Sequence, residues 1–112
     1  MRLVNGRTNQ VLATAVEVAT TRRARRAGLL GLDALDSSSA LVLDPCWMIH
    51  TAFMRFPIDV LFVGRDDRVV RIAHVVQPWR AAASARAHRV IELPAGAAHR
   101  HGVEIGDPLR LC

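Results

Sequence analysis

The segment from Cys46 to Phe62 is the most chemically mixed part of the chain, since it contains a thiol, an imidazole and a carboxyl group. Its sequence is CWMIHTAFMRFPIDVLF. His50 and Asp59 are the candidate catalytic residues, because a carboxylate can orient an imidazole and favour its protonated form. With His50 as the base and Asp59 as its orienting group or as the acid, the chemistry would be that of a small hydrolase or lyase.

Asp59 also has a structural interpretation. It lies within the apolar run from Ile58 to Val63, where an unpaired buried carboxylate is costly. Arg55, His50 or the backbone amides of the corner at Phe56 and Pro57 could supply its partner. In this interpretation, which we favour, Asp59 holds the corner together by accepting hydrogen bonds.

Cys46 offers two further kinds of chemistry. As a nucleophile it could use His50 as its base, and as a metal ligand it could combine with His50 and one further histidine. The further histidine would be His74, His88, His99 or His101. No Cys-x-x-Cys or His-x-x-x-His pair is present to anchor a metal, and a buried thiol beside Trp47 needs no chemistry. We therefore predict no metal site and no cofactor.

A binding site would draw on a wider set of residues. Trp79 and Arg80 follow Pro78 in a break between strand patterns, and a tryptophan beside an arginine can stack on a base or a sugar. The alternative is that Trp79 only covers the end of the fold. The candidate binding residues are His50, Thr51, Met54, Arg55, Asp59, Trp79 and Arg80.

All 15 basic residues are arginine, and the net charge is +5. Four arginines fall close together, at positions 22, 23, 25 and 26. They could bind an anion or, with Trp79, a nucleic acid. A solvated helix face and a composition bias towards arginine and alanine explain them as well. We therefore regard nucleic-acid binding as a second alternative and do not favour it.

The length and composition limit the class of protein. A chain of 112 residues with 51% hydrophobic residues has room for one domain, residues 1–112, and enough apolar surface for a core. Cys46 and Cys112 are too few for a disulfide scaffold and are interpreted as free thiols, although a single bridge stays open. No apolar run is long enough for a membrane span, and no apolar signal segment follows Arg2, so we expect a cytoplasmic protein.

Strand patterns dominate the chain. Alternating or continuous apolar runs predict strands at 1–4, 11–19, 40–43, 49–56, 58–63, 69–76, 89–93 and near 108–111. The pair 58–63 and 69–76 should form a hairpin across the turn at 64–68. Thr20 or Thr21 should cap a helix that ends at Gly28 or Gly31, and a shorter helix should begin after Pro94. The fold class is therefore mainly β: a sandwich or barrel of about seven strands with two short helices.

The residues resemble a known prokaryotic family, domain of unknown function 192, also called uncharacterised ACR or UPF0127. Three blocks carry the resemblance: Ala27-Gly28-Leu29-Leu30-Gly31; His50-Thr51, Met54-Arg55 and Pro57-Ile58-Asp59-Val60; and Leu93-Pro94-Ala95-Gly96, Gly102-Val103 and Gly106-Asp107. Many members have Trp-Met-Lys-Asn-Thr where this chain has Ile49 and His50 at the middle positions, so it is similar to a His-Thr subgroup. The resemblance implies a bacterial protein with a compact all-β fold and implies no activity.

We expect a non-catalytic accessory module that binds a small molecule or a protein partner near His50, Arg55, Asp59 and Trp79. The enzyme with His50 and Asp59 and the arginine-mediated nucleic-acid binder are the two alternatives. The predicted protein is a monomer or a weak dimer that does not associate with membranes.

Overall fold

The computed structural model describes all 112 residues. Ten strands form three sheets, and two short helices connect them. The elements are β1 (Leu3–Asn5), β2 (Val11–Ala13), β3 (Ala15–Ala19), α1 (Arg22–Ala27), β4 (Ser39–Leu43), β5 (Met48–His50), β6 (Ile58–Val63), β7 (Val69–Val76), β8 (Ala81–Ala83), β9 (Arg89–Pro94), α2 (Ala97–Arg100) and β10 (Leu109–Leu111). Neither helix has the length and apolar character needed to cross a bilayer.

The central sheet has five strands in the order β3-β4-β9-β6-β7. All neighbours in it are antiparallel except β3 and β4, which are parallel because α1 carries the chain across between them. Every residue of β6 is buried. Its near-continuous apolar sequence is typical of a strand that is covered on both faces.

Side chains divide the central sheet into two faces, because successive residues of a strand point to opposite sides. Leu61 and Leu93 lie on one face and pack against α2 and the three-stranded sheet β10-β1-β2, so we call it the α2 face. Phe62 and Val90 lie on the other face and pack against Leu29, just after α1, so we call it the α1 face. The β5–β8 ribbon also covers the α1 face.

The predicted mainly β class is confirmed, and the architecture is sandwich-like, since no sheet closes into a barrel. The number of strands exceeds the prediction because three-residue strands give too short a pattern to recognise. The predicted strand at 11–19 is two strands, β2 and β3, in different sheets. The hairpin of β6 and β7 and both helices lie where they were expected.

The predicted strand at 49–56 is wrong beyond His50. β5 ends there, and the chain then turns, with Phe53 at a φ of 65°. Two hydrogen bonds between Thr51 and Arg80 impose the turn. The buried Thr51 hydroxyl accepts one from the Arg80 N–H at 2.8 Å. The backbone N–H of Thr51 donates the other to the Arg80 carbonyl at 2.8 Å. The two faces expected along 51–56 therefore do not form.

Helix α1 begins and ends as its sequence predicts. The Thr21 hydroxyl accepts a hydrogen bond from the Ala24 N–H at 3.0 Å, which caps the first turn. Gly28 has a positive φ of 47°, and this conformation, which glycine adopts readily, ends the helix. None of the six residues of α1 is buried, so the helix lies on the surface of the α1 face.

Candidate ligand-binding pocket

A cavity of about 500 Å³ lies between α1 and the α1 face of the central sheet. We call it the pocket. It is lined by Arg22, Arg25 and Arg26, by the buried apolar side chains Leu29, Leu43, Ile49 and Met54, and by Cys46, Met48, His50 and Glu92. Met48 and His50 are exposed, whereas Glu92 is buried. We call the three arginines the rim of the pocket and Glu92 its inner end. The volume is in the range of pockets that hold small molecules.

Glu92 gives the pocket its unusual chemistry. It lies on the central strand β9, opposite Leu41 of β4 and Val60 of β6, and is only 4% exposed. No hydrogen bond or ion pair compensates its carboxyl group, and burial is the one cause that raises its pKa from 4.5 to about 7. A buried carboxyl group without a partner is costly, so one facing a cavity indicates a site that a ligand can complete.

Charges at both ends of the pocket affect the pKa of the Cys46 thiol. Burial raises its pKa, the negative charge of Glu92 raises it further, and the positive charge of Arg25 opposes the change. The thiol also donates a hydrogen bond to the Met48 carbonyl at 3.1 Å. Both cysteines are free, and a protonated, half-buried thiol in this setting is a weak nucleophile.

The three rim arginines have no acidic partner in the protein. Arg25 donates to the Thr20 carbonyl at 2.6 Å, and no acidic residue lies in the first turn of α1. Arg22 lies at the start of α1, where a positive charge opposes the helix dipole, whereas Arg25 and Arg26 lie in its last turn, where positive charge is favourable. Arg23 is on the same helix but does not line the pocket. The rim is therefore a concentrated positive charge at the mouth of an apolar cavity.

Asp59 lies on the α2 face, away from the pocket. It is fully buried, and its carboxylate accepts hydrogen bonds from the Val75 N–H at 2.8 Å and the Ala98 N–H at 2.9 Å. Asp59 thus accepts hydrogen bonds from backbone amides, as the structural interpretation predicts. These amides belong to β7 and α2, however, and not to the corner at 56–57. His50 lines the pocket on the opposite face. The predicted proton-transfer pair of His50 and Asp59 is therefore wrong.

The other predicted binding residues also separate. His50 and Met54 line the pocket, whereas Thr51 is buried and holds the turn after β5. Arg55 does not reach Asp59, because its guanidinium pairs with Asp33 at 2.6 Å on the surface.

Trp79 and Arg80 form a separate exposed feature. The Trp79 ring meets the Phe53 ring edge to face, with centroids 4.6 Å apart, and both residues have a φ of 65°. The Arg80 guanidinium donates to the Trp79 carbonyl at 3.3 Å. Neither Trp79 nor Arg80 lines the pocket.

Sequence reasoning missed Glu92. The signal was present, since Glu92 stands in the apolar run from Val90 to Leu93 just as Asp59 stands in its own strand. A single acidic residue in such a run can be a buried carboxylate with hydrogen-bond partners or a buried carboxyl group without partners that faces a cavity. Only the packing of the neighbouring elements distinguishes them.

The fold and the pocket define a class: a small, sandwich-like β protein that holds a charged pocket against one face of its central sheet. The chain belongs to the DUF192 family, described as "Uncharacterized ACR", whose sequence model matches residues 3–111. The predicted family is thereby confirmed, whereas the His-Thr subgroup stays a prediction.

Known proteins resemble the chain in sequence and in structure. The UPF0127 protein PF1050 of Pyrococcus furiosus is 39% identical over 62 residues, which are 54% of this chain and 53% of that protein. The match thus spans about half the length of that relative. A crystal structure of a protein of unknown function from Novosphingobium aromaticivorans superposes with a TM-score of 0.87 at 25% identity, covering 99% of this chain and 84% of the other.

A second crystal structure is that of a protein from Sinorhizobium meliloti described as a "putative transcription regulator". It superposes with a TM-score of 0.83 at 25% identity and covers 97% of this chain and 89% of its own. The fold therefore extends over nearly the whole chain.

Proposed function

We propose that this protein is a non-catalytic binding module, and that its pocket holds a small molecule with an anionic group and an apolar body. The observation that carries the proposal is Glu92, a buried carboxyl group with no partner that faces the cavity. A ligand that supplies the missing hydrogen bonds removes the cost of burying this group.

The positive rim supports the anionic part of the ligand. Arg22, Arg25 and Arg26 have no acidic partner, and a guanidinium binds carboxylate or phosphate through two parallel hydrogen bonds. The apolar walls, with Leu29 and Ile49 among them, suit a hydrocarbon body. Binding without catalysis is favoured because burial raises the pKa of the Cys46 thiol and because the buried Asp59 is held by two backbone amides.

A matched set of variants tests the proposal by thermal unfolding in the presence of small carboxylates and phosphates. We expect bound ligands to raise the melting temperature of the wild type. The double variant Arg22→Gln and Arg26→Gln should lose this rise, and Arg23→Gln should keep it, since Arg23 shares the helix but not the pocket. No rise with any compound, or an equal loss in the double variant and in Arg23→Gln, would contradict the proposal.

A second candidate function is nucleic-acid binding through the arginines at 22, 23, 25 and 26, none of which has an acidic partner on α1. The structural neighbour described as a "putative transcription regulator" also supports nucleic-acid binding as the second candidate. Binding of this kind should weaken steeply as salt rises. It should also weaken equally when Arg22 or Arg23 is replaced by glutamine, because phosphate contacts on an exposed helix need no cavity. Absence of any gel retardation at low salt would remove this candidate.

A further inference from the structure

We propose that the ligand is a small zwitterion, an amino acid or short peptide, whose carboxylate binds the rim arginines and whose ammonium group binds Glu92. This inference rests on the proposed function and names the ligand class of the same pocket. Its basis is the opposite charge of the two ends of one cavity.

The two charged ends are separated within the pocket. The Cys46 thiol lies close enough to both to sense the negative charge of Glu92 and the positive charge of Arg25. Glu92 is buried on the central strand β9, the arginines lie on α1, none of whose residues is buried, and no ion pair joins Glu92 to an arginine. A ligand that spans the cavity can satisfy both ends at once, which a simple anion cannot do.

The inner end favours a donor that carries charge. An ionised carboxyl group has only acceptors, and an ammonium group supplies three N–H donors together with the compensating charge. A hydroxyl group supplies one donor and leaves the buried charge uncompensated. The protein offers no donor of its own at Glu92, so a ligand with an ammonium group can supply both the donor and the charge.

The apolar walls of the pocket determine which kind of group can lie between the two charged ends of the ligand. Leu29, Ile49 and Met54 are buried side chains that line the cavity, and together they favour an aliphatic or aromatic body. A volume of about 500 Å³ accommodates a free apolar amino acid and also a short apolar peptide. The two sources share the same terminal groups, and only the distance between those groups differs.

Calorimetric titration of the whole chain tests the inference with matched ligands. The probes are leucine, methionine and phenylalanine, each with its hydroxy acid, its deaminated acid and its amide, and the dipeptide leucyl-leucine. We expect at least one amino acid or the dipeptide to bind about tenfold more tightly than the analogue lacking the ammonium group and than the amide lacking the carboxylate. Tighter binding of leucyl-leucine than of leucine would identify a peptide.

Variants assign the two ends of the ligand. Glu92→Gln keeps the shape of the side chain and should abolish the preference for the ammonium group, while the affinity for the deaminated acid stays within about threefold. Glu92→Met repeats this test without a polar group. Arg25→Gln should abolish the preference for the carboxylate over the amide, and Arg23→Gln should leave both preferences unchanged.

The outcomes separate the two proposals. If the deaminated or hydroxy acids bind as tightly as the amino acids, the zwitterion is wrong and the anion-binding pocket stands. If none of the probes binds, the zwitterion is overturned, and the result of the thermal screen with carboxylates and phosphates decides the pocket alone. A preference for the ammonium group that survives Glu92→Gln and Glu92→Met would overturn its assignment to Glu92.

Discussion

Asp59 and Glu92 are carboxyl groups buried on adjacent strands of one sheet, and they face opposite sides of it. Asp59 lies opposite Leu93 and Glu92 opposite Val60, so each shares a face with its partner across the β6–β9 pair. Asp59 accepts two backbone hydrogen bonds on the α2 face, whereas Glu92 has no partner on the α1 face. The first group stabilises the fold, and the second faces the pocket.

Removal of Asp59 should be strongly destabilising. Asp59→Ala leaves the N–H groups of Val75 and Ala98 without their acceptor, and both Asp59 and Ala98 are fully buried. We expect a loss of roughly 3 to 5 kcal/mol in the free energy of unfolding, measured by urea denaturation. The control is Asp33→Ala, which removes only an exposed ion pair with Arg55 and should cost at most about 1 kcal/mol. Equal losses in the two variants would contradict this role for Asp59.

Glu92 should make the protein less stable as pH rises. Its pKa is about 7 in the folded state against an ordinary 4.5, so between these values the folded state holds a proton that the unfolded state has released. Stability from this group is therefore complete below pH 4.5 and is lost as pH rises to about 7, by roughly 3 kcal/mol. Urea denaturation across this range should show the slope in the wild type.

Two variants isolate that slope. Glu92→Gln cannot ionise and should remove it, and Glu92→Leu should in addition be more stable than the wild type above pH 7, since no charge is then buried. Glu17→Gln, on the exposed side of β3, should keep the wild-type slope. A slope that persists in Glu92→Gln would assign the effect to another group.

Asp107 should make the protein less stable as pH falls, which is the opposite of the effect of Glu92. Burial alone would raise its pKa, but hydrogen bonds from the Arg7 guanidinium, the Glu104 N–H and the Asn5 amide hold it below its usual range. Its contribution to stability is therefore present above its ordinary pKa and is lost as pH falls through the lowered value. We expect Asp107→Asn to reduce stability at neutral pH and to weaken the acid dependence of unfolding, which urea denaturation at several acidic pH values can measure.

Val75 should be a site where substitution stabilises the protein. Its φ of 48° is unfavourable for a β-branched residue, and the hydrogen bond from its N–H to Asp59 holds it there. Val75→Asn should raise the free energy of unfolding by about 1 kcal/mol, because asparagine tolerates this conformation. Val18→Asn, at a similarly exposed valine of an ordinary strand, should lower it. A destabilised Val75→Asn would show that the strain is not relieved.

The sequence predicted those parts of the fold that local patterns determine. The apolar run 58–63, the turn at 64–68 and the cap at Thr21 each depend on neighbours along the chain, and each lies where it was expected. The turn after His50 could not be predicted, because the Thr51 backbone and hydroxyl bond to Arg80, far along the chain. Glu92 could not be assigned for the same reason, since its lack of a partner depends on what packs over β9.

Helix α1, which carries the rim arginines, buries none of its residues, and this affects the exchange kinetics of the pocket. A helix held by few buried contacts opens locally at low free-energy cost, without global unfolding. Its amide hydrogens should therefore exchange with deuterium early in the free protein. A ligand bound to the guanidinium groups of Arg22, Arg25 and Arg26 would slow that exchange. The rate of local opening of α1 would then limit the residence time of the ligand.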